Sequence, residues 1–254
     1  MTDISTQTTP GSQAWTFHAE GRTVAAGRGW DWIAEASALF RKQPGIWILI
    51  ALLGGILCIV IGMVPILGSL ANALLFPIFG AGIMLGCKAQ DEGGTLEVAH
   101  LFAGFKQRTG DLVLVGAFNL AGWLVICLAV VAVVGVGVFM GIMRGGAPGA
   151  GISIASMLIA GLLVLGLSVP LYMATWFAPA LIVLQQLAPV AALKASFYAC
   201  LRNWIPFFVY GIVLLVLCIV AAIPAGLGFL ILVPVLAASV YTAYRDIFRG
   251  GQES

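Results

Sequence analysis

Four long tracts without a single charged residue constrain this chain more than any other feature of its sequence. They cover residues 43–87, 112–143, 145–193 and 203–244. A transmembrane helix needs about 20 apolar residues to cross the hydrocarbon core of a bilayer, so each tract has room for one or two such helices. The tracts are continuously apolar rather than alternating, which excludes the strands of a membrane barrel. The chain is therefore predicted to be all-α, a polytopic helical membrane protein.

The overall composition agrees with a membrane environment. Of the 254 residues, 61% are hydrophobic and only 9% are charged, whereas soluble globular domains carry about 25% charged residues. The formal net charge is +2, and the basic residues occur singly or in pairs rather than in the clustered stripe that nucleic-acid binding requires. The composition therefore predicts membrane lipids as partners and no nucleic acid.

Turn residues and prolines divide the tracts into six predicted spans. These cover residues 46–64, 66–87, 112–139, 152–187, 204–223 and 225–244. The fourth region is long enough for two spans, which would give seven in total. The distribution of lysine and arginine decides against seven, because loops on the cytoplasmic side retain positive charge. With six spans, only Arg144 of the 12 basic residues falls on the opposite side, and both termini are predicted to be cytoplasmic.

Three segments share one order of features, which predicts a threefold internal repeat. Each consists of an amphipathic stretch, a basic residue, a span, a turn and a second span with a central proline. The repeats cover about 29–90, 95–187 and 188–248 and together form one membrane domain. A disordered cytoplasmic tail is predicted over residues 1–28, and a short tail over 249–254. All three units enter from the cytoplasm, so they are predicted to be parallel repeats.

The repeated prolines predict helix kinks at Pro77, Pro170 and Pro234. Proline removes a backbone hydrogen bond and bends a helix, and in lipid the freed carbonyl must be satisfied by neighbouring helices or side chains. All three kinks are therefore expected to face the bundle interior. Gly82 and Gly86 have the GxxxG spacing of close helix contacts, although 32 glycines make this spacing common by chance.

The amphipathic stretches are predicted to be α-helices that lie along the cytoplasmic interface. Their expected apolar faces are Trp32, Ile33, Ala36, Leu39 and Phe40, then Val98, Leu101, Phe102 and Phe105, and finally Val190, Leu193, Phe197 and Cys200. A basic and aromatic rim is predicted beside them, consisting of Arg41, Lys42, Lys194, Arg202 and Trp204. Such a rim attracts anionic headgroups, so it is predicted to contact lipid or a protein partner.

No constellation of residues predicts a catalytic, metal or cofactor site. Ionisable residues at membrane depth mark pumps and membrane enzymes, and the predicted spans contain none. The deepest polar side chains are Asn72 and Asn119, which either line a solute pathway or bond neighbouring helices. His100 has no partners at metal-ligand spacing and is expected on a solvated face. Asp246 and Arg245 are expected to form a terminal cap pair.

Several short motifs resemble those of a known family. They are Trp176-Phe177-Ala178-Pro179-Ala180-Leu181, Pro189 with Ala192-Leu193-Lys194-Ala195-Ser196, Arg202-Asn203-Trp204, Gly29-Trp30 with Phe40-Arg41-Lys42-Gln43-Pro44-Gly45, and Leu101-Phe102-Ala103-Gly104-Phe105. Over residues 29–248 the chain resembles a family of uncharacterised bacterial inner-membrane proteins, with a wider kinship to YciC-type and glycerophosphodiester-phosphodiesterase membrane-domain proteins. The resemblance implies this fold and an inner-membrane location. It implies no activity, because these motifs are structural and the phosphodiesterases act through a separate soluble domain.

Three functions remain open from the sequence. The first is a non-enzymatic membrane protein whose cytoplasmic rim contacts lipid or a partner. The second is a facilitator or channel for a small solute, with a path among the kinks of the second, fourth and sixth spans. The third, a membrane enzyme, is disfavoured because no nucleophile, base or metal constellation is visible in the sequence.

Overall fold

The computed structural model describes residues 16–18, 20–143 and 154–250. The α-helices are α1 (Arg28–Lys42), α2 (Pro44–Gly62), α3 (Leu67–Asp91), α4 (Thr109–Met143), α5 (Ile154–Thr175), α6 (Ala178–Gln185), α7 (Pro189–Arg202), α8 (Trp204–Ala222) and α9 (Phe229–Phe248). A 3₁₀ helix covers Val98–Lys106, between α3 and α4. Two short strands, β1 (Thr16–Phe17) and β2 (Arg249–Gly250), pair antiparallel.

Six helical segments are long and apolar enough to cross a membrane, which confirms the predicted all-α bundle of six spans. They are α2, α3, α4, the α5–α6 pair, α8 and α9. Much of their apolar surface is exposed, as expected for helices whose solvent is lipid. The sixth span begins later than predicted, because Ala225 (φ 52°) and Gly226 (φ 82°) adopt the left-handed conformation in the turn before α9.

The fourth region forms one span in two pieces, α5 and α6, with a break between them. Ser196 on α7 bridges this break, because its Oγ accepts a hydrogen bond from the Phe177 amide (3.0 Å) and donates one to the Met173 carbonyl (2.7 Å). Pro179 lies in the first turn of α6, where its fixed φ angle favours the start of a helix. Since α6 is mostly buried and contacts α3, α7 and α4, it fills the space between these helices.

The helices that precede each hairpin pack in a cyclic order. The 3₁₀ helix packs against α3, α7 packs against α5, and α1 packs against α9 and α8. Each of these short helices therefore contacts the second span of the preceding hairpin, and α1 closes the cycle. This order fits a threefold repeat. The middle unit differs from the other two in having the additional buried helix α6, so the threefold repeat stays a prediction.

The core lies at the end of the bundle formed by α1, the 3₁₀ helix and α7, which we name the charged end. The acidic and basic residues that the structure describes lie in the segments at this end. Large aromatic side chains are fully buried there, among them Trp32, Trp47, Tyr241 and Phe177. The pairing of β1 with β2 brings Thr16–Phe17 and Arg249–Gly250 to the same side of the bundle, as an even number of spans requires.

Residues 16–18 and 20–28 have a defined structure, although they belong to the predicted disordered tail over 1–28, and β2 extends into the predicted tail over 249–254. Residues 1–15 lie outside the described part. The segment after β1 is held by Asn203, a fully buried residue between α7 and α8. Its Oδ1 accepts a hydrogen bond from the Val24 amide, and its Nδ2 donates to the Arg22 and Ala199 carbonyls, all at 2.9 Å.

Replacing Asn203 by alanine is expected to release this N-terminal segment. The Val24 amide and the Arg22 carbonyl would lose their partners, and an unsatisfied buried polar group costs about 1–3 kcal/mol. Trypsin is therefore expected to cleave after Arg22 about tenfold faster than in the wild type, as followed by intact mass in mild detergent. Ser37→Ala is the control, since Ser37 bonds only within its own helix. Equal cleavage rates for both variants would contradict the role of Asn203.

Of the three prolines in the second spans, Pro77 and Pro234 are buried, as predicted, but Pro170 is exposed. The expectation that all three prolines face the interior is therefore wrong for Pro170. The reason is a groove of about 590 Å³ between α4, α5 and α7, on whose wall Pro170 lies. We name it the α4–α5–α7 groove.

The predicted apolar face of α1 is confirmed, because all five of its residues are buried, but the stretch after α3 is a 3₁₀ helix rather than an α-helix. Its buried residues are Leu101 and Gly104, three positions apart, which is the period of a 3₁₀ helix. Phe102 and Phe105 are exposed, and their rings contact Phe79 on α3 at centroid distances of 6.2 and 5.7 Å.

The predicted apolar face of α7 is confirmed for Cys200, which is buried, and is wrong for Val190, Leu193 and Phe197. The helix packs its small residues against the protein, namely Ala192, Ser196, Ala199 and Cys200. The larger side chains of Val190, Leu193 and Phe197 line the α4–α5–α7 groove instead. Small side chains let α7 approach its neighbours closely, whereas lipid accepts the large ones without cost.

Candidate functional site

The carboxylate of Asp246, near the end of α9, accepts three side-chain hydrogen bonds at the charged end. The donors are Arg22 Nη2 (2.9 Å), Arg28 Nε (2.6 Å) and the buried Trp32 Nε1 (2.9 Å). Only 7% of the Asp246 side chain is exposed. The expected cap pair between Asp246 and Arg245 is therefore wrong, because consecutive residues of a helix do not face each other.

Arg245 points to another face of α9 and extends the ion-pair chain. It donates to Asp91 on α3 (2.6 Å) and to Glu35 on α1 (2.7 Å). Glu35 also accepts a bond from Arg28 Nη2 (2.9 Å), and Asp91 accepts one from the Tyr241 hydroxyl (3.0 Å). A continuous series of ion pairs thus joins the N-terminal segment, α1, α3 and α9. We name these six charged residues the ion-pair network: Arg22, Arg28, Glu35, Asp91, Arg245 and Asp246.

Three arginines balance three carboxylates in this network. Burial by itself lowers the pKa of the Arg28 guanidinium, but hydrogen bonds and charge attraction from Asp246 and Glu35 outweigh it, so the pKa of Arg28 is raised. A polar pocket of about 410 Å³ is lined by Arg22, Arg28 and Asp246. Asp246 pairs with both arginines and Arg28 also pairs with Glu35, so each cation of the pocket has an anionic partner. The network therefore joins the N-terminal segment, α1, α3 and α9.

Sequence reasoning missed this network. Arg28 and Glu35 lie two turns apart on the polar face of α1, and this spacing could have predicted the ion pair between them. The partners Asp91 and Asp246 lie far away in the sequence, and only the packing of α1 onto α9 and α3 brings them together.

Two of the five predicted rim residues bond within the chain. Lys42 Nζ donates to the Gln90 carbonyl (3.1 Å), and Arg202 Nη2 pairs with Glu20 (2.7 Å). These two residues therefore bind neighbouring segments of the protein.

The other predicted rim residues face outward. Trp204 is 64% exposed. Arg41 and Lys194 are exposed and form no hydrogen bond or ion pair with the residues that the structure describes. Lys106, at the end of the 3₁₀ helix, is also exposed and forms no hydrogen bond or ion pair with the described residues. It was not among the predicted rim residues. Arg41, Lys106 and Lys194 are named the free basic residues below.

The predicted polar residues of the spans lie apart from both cavities described above. Asn72 Nδ2 donates to the Cys58 carbonyl (2.9 Å), which is an interhelix bond between α3 and α2. Its Oδ1 is buried and has no hydrogen-bond partner among the described residues. Asn119 is half-buried in α4. Neither residue lines the α4–α5–α7 groove or the polar pocket.

His100 caps the 3₁₀ helix and is half-buried rather than on a solvated face. Its Nδ1 accepts a hydrogen bond from the Glu97 amide (3.0 Å), and the Glu97 side chain accepts one from the His100 amide.

Within the described ranges, no group of three or more His, Cys, Asp and Glu residues could hold a metal ion. Arg144 lies outside those ranges.

One of three comparisons with known proteins finds a similar protein. No family model and no solved structure matches the chain. Six apolar helices of membrane length make it a multi-pass membrane protein. It is similar to a protein of Burkholderia thailandensis described as a probable inner membrane protein, with 28% identity over 248 residues that cover 89% of this chain and 92% of the relative.

Proposed function

We propose that this chain is a non-enzymatic inner-membrane protein whose charged end faces the cytoplasm and binds anionic lipid headgroups through its free basic residues. The supporting observation is that Arg41, Lys106 and Lys194 are exposed and have no partner among the described residues, whereas the ion-pair network and Glu20 neutralise other basic side chains. Each basic residue near an anionic membrane surface contributes about 1 kcal/mol of attraction. We also propose the wider kinship with YciC-type and glycerophosphodiester-phosphodiesterase membrane-domain proteins.

The proposed lipid binding is tested by measuring which lipids remain bound to the protein after its extraction. The protein is extracted from nanodiscs of phosphatidylcholine and phosphatidylglycerol, and the ratio of the two lipids retained is measured. The triple variant Arg41→Gln, Lys106→Gln, Lys194→Gln is expected to reduce the phosphatidylglycerol enrichment at least fivefold. The variant Arg41→Lys, Lys106→Arg, Lys194→Arg keeps the charges and is expected to retain it. Unchanged phosphatidylglycerol enrichment in the first variant would contradict lipid as the ligand. So would a stoichiometric protein partner that the wild type binds and the first variant does not.

The proposed orientation is tested with reporter fusions. The strands β1 and β2 lie at the charged end, and cytoplasmic surfaces of membrane proteins collect lysine and arginine. Green fluorescent protein is expected to fluoresce at either terminus, and alkaline phosphatase is expected to be active only when inserted between α4 and α5. Active phosphatase at a terminus would reverse the proposed orientation.

A second candidate, the facilitator of a small solute, depends on Asn72. An unpaired polar atom buried at membrane depth is costly, and a passing solute would supply a partner for its Oδ1. Proteoliposomes are expected to take up glycerol faster than empty vesicles if this candidate is correct, and Asn72→Leu is expected to remove the difference. Equal uptake with and without the protein would eliminate this solute.

A further inference from the structure

The α4–α5–α7 groove has the volume of a small-molecule site and a mostly apolar lining. Its volume of about 590 Å³ lies within the range of about 300–1,000 Å³ for small-molecule sites. Its floor is the close contact of α4 with α5 at Gly122, where an added Cβ would lie 2.5 Å from the Leu171 side chain. The side chains of Leu167 and Pro170 form one wall, and α7 forms the other.

The position of the groove relative to the bilayer follows from its helices. Leu167 and Ala174 belong to the last turns of α5, and Phe118 lies a few turns after the start of α4. All three positions are near the charged end, and α7 lies along that end. The groove therefore opens toward lipid in the half of the bilayer adjacent to the charged end.

One charge distinguishes this groove from an ordinary lipid-facing surface. Lys194 is the only charged residue among its thirteen lining residues, and it forms no ion pair with the described residues. Lys194 and Tyr198 are one turn apart on α7, so an ammonium group and a hydroxyl lie at the edge where headgroups meet acyl chains. A long lysine side chain reaches such an interface while its methylene groups stay in the apolar layer.

From this geometry we propose that the α4–α5–α7 groove binds one phospholipid with an anionic headgroup. The acyl chain lies against Gly122, Leu167 and Pro170, and the phosphate pairs with Lys194. This site deepens the proposed binding of anionic lipid by the free basic residues and rests on it. It differs in being a single site of defined stoichiometry rather than a general enrichment of lipid around the charged end.

The site is tested by native mass spectrometry of protein released from nanodiscs of phosphatidylcholine and phosphatidylglycerol. The wild type is expected to retain one phosphatidylglycerol. Lys194→Gln is expected to weaken its retention about fivefold, the factor that corresponds to about 1 kcal/mol for one basic residue, and Lys194→Arg is expected to restore it. Leu167→Trp, which fills the groove, is expected to abolish retention of this lipid while leaving the general enrichment of phosphatidylglycerol unchanged.

Matched controls separate the groove from the rest of the surface. Lys106→Gln removes another free basic residue, and Leu165→Trp adds the same bulk to α5 at an exposed position outside the groove. Both controls are expected to retain one phosphatidylglycerol. Retention of that lipid by Leu167→Trp would overturn the groove but not the proposed function. Equal retention of both lipids by the wild type, together with no general enrichment, would overturn both.

Discussion

Replacing Asp246 by asparagine is expected to lower the free energy of unfolding by about 2–4 kcal/mol. The carboxylate of Asp246 is 7% exposed and accepts bonds from Arg22, Arg28 and Trp32. Removal of one partner from a buried ion pair costs about 3–5 kcal/mol, because the remaining charge is left uncompensated. The Arg22 and Arg28 side chains are 34% and 31% exposed, and water stabilises them in part, which reduces the expected effect.

The effect of Asp246→Asn is measured by unfolding in mixed detergent micelles with increasing SDS, followed by tryptophan fluorescence. Asp31→Asn provides the control, because it removes the same group from a 46% exposed position with one ion pair of 3.4 Å to Arg28. Exposed pairs contribute no more than about 1 kcal/mol. Similar losses for the two variants would show that the ion-pair network does not stabilise the charged end through Asp246.

The six spans could be predicted because their signal is local and lies in composition. A helix in lipid satisfies its own backbone, so a long charge-free tract is sufficient to define it without knowledge of its neighbours. For the fourth region, the apolar tract alone did not decide between one crossing and two. Lysine and arginine positions favoured a single crossing, and the structure has one crossing, but the break that Ser196 bridges depends on a contact between α7 and the end of α5.

The ion-pair network could not be predicted because it depends on which helices meet. Glu35 and Arg245 lie on different helices, and the sequence gives no measure of the distance between them. An ion pair within the protein also neutralises a basic side chain, and the sequence does not show which basic residues are paired. Arg202 and Lys194 are equivalent in the sequence as basic residues of α7, but only Lys194 remains without a partner among the described residues.

The faces of the short helices were predicted with uneven success for a physical reason. α1 is covered by α8 and α9, so its large apolar residues are buried as in a soluble protein. α7 has protein on one side and lipid on the other, and both are apolar. Hydrophobicity therefore does not distinguish the two sides of α7, and residue size does, with Ala192 and Ala199 toward the protein.

Replacing Gly82 by alanine is expected to lower the free energy of unfolding by about 2–3 kcal/mol. Here α3 passes so close to the 3₁₀ helix that an added Cβ would lie 2.3 Å from the His100 carbonyl oxygen and 2.8 Å from that of Leu101. Overpacking costs about 1–3 kcal/mol. The upper part of this range applies because the obstructing atoms belong to the backbone and have no alternative rotamer. Unfolding in SDS mixed micelles measures the change.

Gly80 on the same helix is the matched control, because nothing lies within 4 Å of an added Cβ at this position. Gly80→Ala is expected to leave the stability unchanged or to raise it by up to about 1 kcal/mol, since alanine loses less conformational entropy than glycine in a helix. If both substitutions had the same effect, the close approach of the 3₁₀ helix to α3 would be wrong. A loss confined to Gly82→Ala would show that the backbone of the 3₁₀ helix packs directly on α3 at Gly82, where no side chain can be accommodated.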